Sequence, residues 1–378
     1  GVGGYGEGDV TDCHNTATLF TTSIAGATLA DIGTNDAQQA DGGADAMGGV
    51  VGSLRGIAMS GLGDNRGDPG LEEGAATLTL SDCSNTGYVS GLHTVGGIVG
   101  AQGSKTVVTR CVNGVAESDA TSNVGHVRTT RWNKPAGGGI CGQSWGTISY
   151  SRNHGQSENT KAGYYTAGIC GMLIMHETQS STAEIFACYS TGNVLCGKTA
   201  SFYEGGIVGE NDHGCYVHDN VFLYGTVSAR NVNRDDANDV AVGRNYGTVA
   251  NSQVVYETAK QAKAKNGICI KSGEAVGILN KLAANNGWTS YYFITKGANN
   301  GYPVLNGQAT PDAKIDLSEF PCTVEYVGNA KYTAAYNPVP SLKVTVTIDG
   351  KAVKLTEGAD YRVVADPSAL DGNGIPMG

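Results

Sequence analysis

Residues 210–220, ENDHGCYVHDN, hold the densest set of side chains able to do chemistry. Asp212, His213, Cys215, His218 and Asp219 are of the types that ligate zinc or a harder divalent ion. The competing reading is structural, because Asp and Asn also satisfy backbone groups in turns. That reading is preferred here, with Asp212, His213, Cys215 and His218 kept as a metal candidate only. A second set lies in two polar segments. Arg128, Arg131 and Trp132 fall in 116–136, and Arg230, Arg234, Asp235, Asp236 and Asp239 fall in 230–239. An aromatic ring beside arginines can stack on a sugar, and carboxylates beside Arg could cleave one. A solvated charged loop accounts for the same residues, so they are expected as loop binding positions, with no catalytic residue assigned. The ten cysteines show no repeated C-x2-C zinc spacing. Cys196 and Cys215 are the disulfide candidates. No phosphate-loop motif occurs, and no cofactor is expected.

The elements that must position these residues emerge from repetition. GGVVG (48–52), GGIVG (96–100), GGICG (138–142), AGICG (167–171), GGIVG (205–209) and a worn VAVG (240–243) are copies of one phrase. A second phrase alternates with it: VTDCHNTATL (10–19), LSDCSNTGYV (80–89), VTRCVNGVAES (108–118), ISYSRNHGQS (148–157), IFACYSTGNV (185–194) and VHDNVFLYGTV (217–227). Gly49, Gly97, Gly139, Gly168 and Gly206 lie 48, 42, 29 and 38 residues apart. Short fixed strands joined by variable loops explain that drift. Repeats that never form a consistent two-residue hairpin fit coils of a parallel β-helix. Ile98, Ile140, Ile169 and Ile207 should then form one inward column. Cys13, Cys83, Cys111 and Cys188 share one slot, and Cys141 and Cys170 another. Free thiols in such columns act as small apolar groups, so a mostly reduced ladder is expected. Recurrence also removes the dinucleotide-fingerprint reading of G-G-I-V-G. A flat threonine array for ice is set aside because TLTL (77–80) finds no equivalent copy.

G-G-I-V-G with a following N-x-G, then x-C-x-N-x-G-x-V, resembles the GLUG repeat of bacterial secreted and surface proteins over roughly 45–255. The resemblance implies a right-handed β-helical stack and an adhesive or structural role, and it brings no catalytic residue. Residues 258–307 turn helix-favouring and end in W…NNGYPVL, a closing phrase similar to those of GLUG-like chains. Trp288, Tyr302 and Leu305 are expected to cap the final coil. Residues 308–319 read as a linker. In 320–378, KVTVTIDGKAVKL reads as a hairpin turning at Asp349–Gly350, and with the phrase EGADYRVV it resembles bacterial Ig-like modules. About 58 residues fall short of a sandwich of ~100, so a strand is expected to be missing. The fold class expected is all-β: a right-handed parallel β-helix over 1–257, a short helical and aromatic cap, and an incomplete Ig-like sandwich.

Composition narrows function. Formal net charge is -10, which disfavours nucleic acid and acidic membranes. No apolar run spans a bilayer, no secretory leader opens the chain, and no N-x-S/T site occurs. An excerpt of a larger protein is expected. The leading expectation is an extracellular surface protein that binds host or neighbouring-cell molecules or glycans. The alternatives are a filament subunit assembling through the Ig-like edge, and a polysaccharide-processing enzyme.

Overall fold

The computed structural model describes residues 3–6, 8–20, 46–54, 76–116, 123–130, 135–159, 165–175, 183–196, 203–223, 241–255, 272–283, 285–294, 299, 302–307, 321–326, 342–348 and 351–355. The chain divides into two compact units, Gly1–Tyr291 and Tyr292–Gly378. The first unit is built from stacked parallel sheets. One circuit runs through Thr94–Gly96 (sheet I), Val99–Gln102 (sheet II), Thr106–Thr109 (sheet III), Val112–Asn113 (sheet IV) and Val127–Thr129 (sheet V). The next circuit adds one strand to each sheet. Sheets II, III and IV reach seven strands, and sheets I and V reach five. Short strands suit this design because each meets its partner in the next circuit rather than its neighbour in sequence.

The two repeated phrases have separate jobs. In the first, Val50, Ile98, Ile140, Ile169 and Ile207 are fully buried in one core cluster. The N–H of each donates to the carbonyl one circuit on, at 2.9–3.0 Å for the four isoleucines. The expected column is therefore present, and Ala241 continues it. Burying each such side chain contributes roughly 1.5–3 kcal/mol. Leu80, Val108, Ile148, Ile185 and Val217 form a second in-register column from sheet III.

The second phrase supplies a polar column. Asn15 Nδ2 donates to Asn85 Oδ1 (2.7 Å), Asn85 to Asn113 (2.8 Å), Asn113 to Asn153 (2.8 Å), and Asn153 to Ser190 Oγ (3.2 Å). Asn85 also donates to the Gly87 carbonyl and accepts from the Gly87 N–H. Its amide thus uses all four of its hydrogen-bonding positions while fully buried. The second glycine of G-G-I-V-G makes room for this column. A Cβ on Gly97 would lie 2.4 Å from the Asn113 side chain and 2.1 Å from the Gly139 carbonyl.

Between sheets III and IV the chain turns through a left-handed residue in every circuit. Asp12, Asp82, Arg110, Tyr150, Ala187, Asp219 and Asn251 have φ between 46° and 58°, and none is glycine. Non-glycine residues here are strained. The slot that follows offsets part of that cost. The thiols of Cys83, Cys111 and Cys188 and the hydroxyl of Ser151 each donate to the carbonyl two residues back, at 3.2, 3.3, 3.3 and 2.8 Å. The shared cysteine slot is thus a hydrogen-bonding position as well as an apolar one.

The cap expected over 258–307 takes a different form. Helix α1 (Ser272–Leu279) buries Ala275, Val276 and Leu279 and meets the sheet IV strand Val221–Leu223. From there the segment runs back along the left-handed corners. Lys281 Nζ lies 3.5 Å from Asp219 Oδ1, Asn286 Nδ2 donates to Tyr150 Oη at 2.8 Å, and Arg110 Nη1 lies 3.5 Å from Ser290 Oγ. The described residues 281–283 and 285–290 thus strap the flank, where the corner side chains offer polar partners along several circuits, and 258–271 lie outside the described residues. Trp288 packs edge-on against Tyr291, while Tyr302 and Leu305 fall in the second unit.

The second unit contains an antiparallel pair, Tyr292–Phe293 with Val304–Leu305. It also contains a three-stranded antiparallel sheet of Cys322–Tyr326, Leu342–Ile348 and Lys351–Leu355. Ile348 pairs with Lys351, so the hairpin has the expected two-residue connection; those two residues lie outside the described set.

The asparagine column should be needed for stability. Asn113→Ala removes one of the two partners of Asn85 Nδ2 and of Asn153 Oδ1, together with the bond to the Gly125 carbonyl. It should cost at least about 2 kcal/mol in urea unfolding, whereas Thr79→Ala on the outward face should stay within about 0.5 kcal/mol.

Candidate functional site

With one side of each strand given to the core, chemistry is left to outward columns and corners. The residues of 210–220 divide between these. Cys215 stands in a column of small residues with Gly146, Ala183 and Gly247, shown by the Tyr216-to-Ala183 and Thr248-to-Cys215 backbone bonds. Its thiol is free and belongs to the core cluster, and burial pushes it up to about 12. His213 points the other way, with 77% of its side chain exposed and Nδ1 3.1 Å from Asp212 Oδ1. His218 forms a third group, with Nδ1 2.8 Å from Asp219 Oδ2 and Nε2 3.6 Å from Glu184 Oε2. The four metal candidates therefore do not converge. Among the described residues no group of three or more His, Cys, Asp or Glu side chains could hold a metal. The Cys196–Cys215 bridge expected from the sequence is not formed at Cys215, whose thiol is free, and the Cys196 side chain lies outside the described residues. The thiols of the two cysteine slots are likewise free.

Arg128 also changes its setting. It lies in the sheet V strand Val127–Thr129, paired in register with Ser90 and Glu158, and not in a loop leaving the stack. The 116–136 segment thus contributes a regular strand. Arg128 Nη1 reaches Tyr88 Oη at 3.4 Å. The Glu158 carboxyl is held below its usual range by a hydrogen bond from His126, against its burial and with help from Arg128. Arg131, Trp132, Arg230, Arg234, Asp235, Asp236 and Asp239 lie outside the described residues.

The histidines nearest to acid–base geometry are committed to structure. His154 donates or accepts at Thr191 Oγ1 (2.8 Å), and burial, with Arg152 adding to it, lowers it to about 3. For His218, burial opposes the cation, but Glu184 and Asp219 outweigh it and raise the group above its ordinary range. Its ring stacks on Tyr216 and Phe186, at 4.1 and 5.4 Å between centroids.

The best-built exposed cluster is one that residue-by-residue reading missed. Tyr165 stacks on Tyr203 at 5.4 Å. The Arg244 guanidinium lies over both Tyr203 (4.5 Å) and Tyr246 (4.2 Å), and Tyr246 stacks on His213 at 4.9 Å. Five planar groups are thus joined in series across the last three circuits. Two carboxylates anchor them: Glu210, 1% exposed, meets Arg244 Nη1 at 3.2 Å, and Asp212, 2% exposed, holds His213. Tyr246 is 42% exposed, and the Arg244 side chain is 30% exposed. The signal was available. Aligning GEND (209–212) with GRNY (243–246) puts Glu210 opposite Arg244, which is the observed register.

Comparison with models of protein families, with curated proteins and with solved structures finds no match to this chain. Among the described residues no helix is long and apolar enough to cross a membrane.

The two histidines should act oppositely on stability. His154 binds its proton more weakly folded than unfolded, so stability falls as pH drops below about 6.5. Between about pH 7 and pH 5 this amounts to about 2 kcal/mol, and His154→Gln should remove it in denaturation curves. His218 binds its proton more tightly folded. Its contribution is full below the unfolded value and lost as pH rises through the folded one. His218→Gln should therefore cost more in acid than in alkali.

Proposed function

We propose that the chain is part of an extracellular bacterial surface protein, its stack a right-handed parallel β-helix of the GLUG kind that serves as a stiff adhesive body. The observation that carries this reading is the unbroken register of the isoleucine and asparagine columns through successive circuits. Such a stack commits one face of each strand to its interior and leaves repeated outward columns as a binding surface. The cluster of Tyr203, Arg244, Tyr246 and His213 is the contact face of this body. It offers rigid aromatic area and oriented donors in one place, the combination that dominates recognition surfaces. The second unit is read as the start of an Ig-like spacer, supported by its hairpin and the alternation of buried Val344 and Val346 with less buried neighbours. Low charged content and a net charge of -10 suit a soluble outer body that does not adsorb to polyanions.

Beads coated with the purified chain should attach to bacterial or animal cells well above albumin-coated beads. Protease treatment of intact producing cells should remove the protein. Attachment no better than albumin, together with full protection from protease, would overturn the proposal.

A further inference from the structure

We infer that the Tyr203–Arg244–Tyr246–His213 cluster is a binding site for a neutral saccharide; this rests on the adhesive reading above and specifies its ligand. The first ground is shape. Arg244 lies between Tyr203 and Tyr246, and the His213 ring ends the series with most of its surface open. The open face of the His213 ring, backed by this stack, suits the C–H face of a pyranose ring, and the rigidity of the stack lowers the entropy lost on binding.

The second ground is the arrangement of polar atoms. Glu210 Oε2 engages Arg244 through Nη1, leaving guanidinium donors toward solvent on the partly exposed side chain. Asp212 accepts from His213 Nδ1, which orients the ring on a side chain that is otherwise largely exposed. The site therefore presents guanidinium donors and an imidazole nitrogen beside an aromatic ring. A sugar carries both kinds of partner on adjacent hydroxyls.

The third ground is charge. One buried carboxylate, Glu210, engages Arg244, and a second, Asp212, holds the neighbouring His213, on a chain of net charge -10. Glu210 already offsets the guanidinium charge, so a uronate or sulfated sugar would gain little from Arg244 and would meet the carboxylate that holds His213. The Glu210 contact and the two tyrosine rings explain why an arginine sits there, since stacking and a buried carboxylate both suit a planar cation better than lysine.

The full chain can be tested by calorimetry and by retention on immobilised polysaccharides. The neutral arm uses galactan, mannan and β-glucan, and the acidic arm uses polygalacturonate and alginate. Binding to at least one neutral polymer is expected, with the acidic polymers about tenfold weaker or undetected. Tyr246→Ala and His213→Ala alter exposed rings and should keep the fold, and each should weaken neutral-glycan binding by about three- to tenfold. Arg244→Lys keeps a cation near Glu210 but loses the flat stack, and should weaken binding by about tenfold or more. Circular dichroism and urea midpoints confirm folding of each variant. Equal or tighter binding of the acidic polymers, or folded variants that bind as the original does, would overturn the inference. If beads still attach to cells while no neutral polymer binds, the saccharide assignment falls and the adhesive reading stands. If neutral polymers bind through these residues but beads do not attach, the reverse holds.

Discussion

Everything in the first unit depends on register between successive circuits. A strand of three or four residues has too few backbone bonds to persist alone, and here each is held by the equivalent strands on either side. A one-residue slip would turn Ile140 or Ile148 outward and the polar face inward. The asparagine column makes the slip costlier still. Asn85, Asn113 and Asn153 bond to one another only when their circuits are aligned, and a misaligned amide would be buried without partners. Apolar columns thus drive the stacking, and the amide column selects the alignment.

The same constraint organises the outside. Because register is exact along the stack, outward side chains at one slot form columns, and a change of residue type between circuits creates pairs. Arg244 follows Glu210 in this way, and Tyr203 follows Tyr165. The left-handed corners show the converse. Glycine would relax the backbone at Arg110, Tyr150 and Asp219, yet side chains stand there and take the bonds that fasten 281–290 to the flank. Local backbone strain is exchanged for a tether across circuits.

Much of this was legible. The repeated G-G-I-V-G phrase carried the isoleucine column because a glycine-flanked aliphatic recurring in one context has few alternatives. The cysteine slot was legible as a position, though its thiol-to-carbonyl bond was not, since a left-handed turn at Asp82 or Arg110 leaves no mark where glycine is absent. The 116–136 segment was misread as an excursion because VGHVRTT does not resemble the other sheet V strands; hydrogen bonding to 89–91 and 157–159 makes it one. The metal candidate failed for a related reason. Residues 212–215 form a turn between two strands, with Gly214 in the left-handed region, and that turn sends His213 outward while Cys215 faces inward.

By itself the sequence determined the period, the all-β class, the inward column and the hairpin near the C-terminus, because these follow from local spacing and side-chain size. Tertiary structure alone decided which outward groups meet. Tyr165, Tyr203, His213, Arg244 and Tyr246 span some eighty residues, and variable loops hide how their circuits align. Only stacking at the fixed spacing of parallel strands brings those rings and that guanidinium face to face.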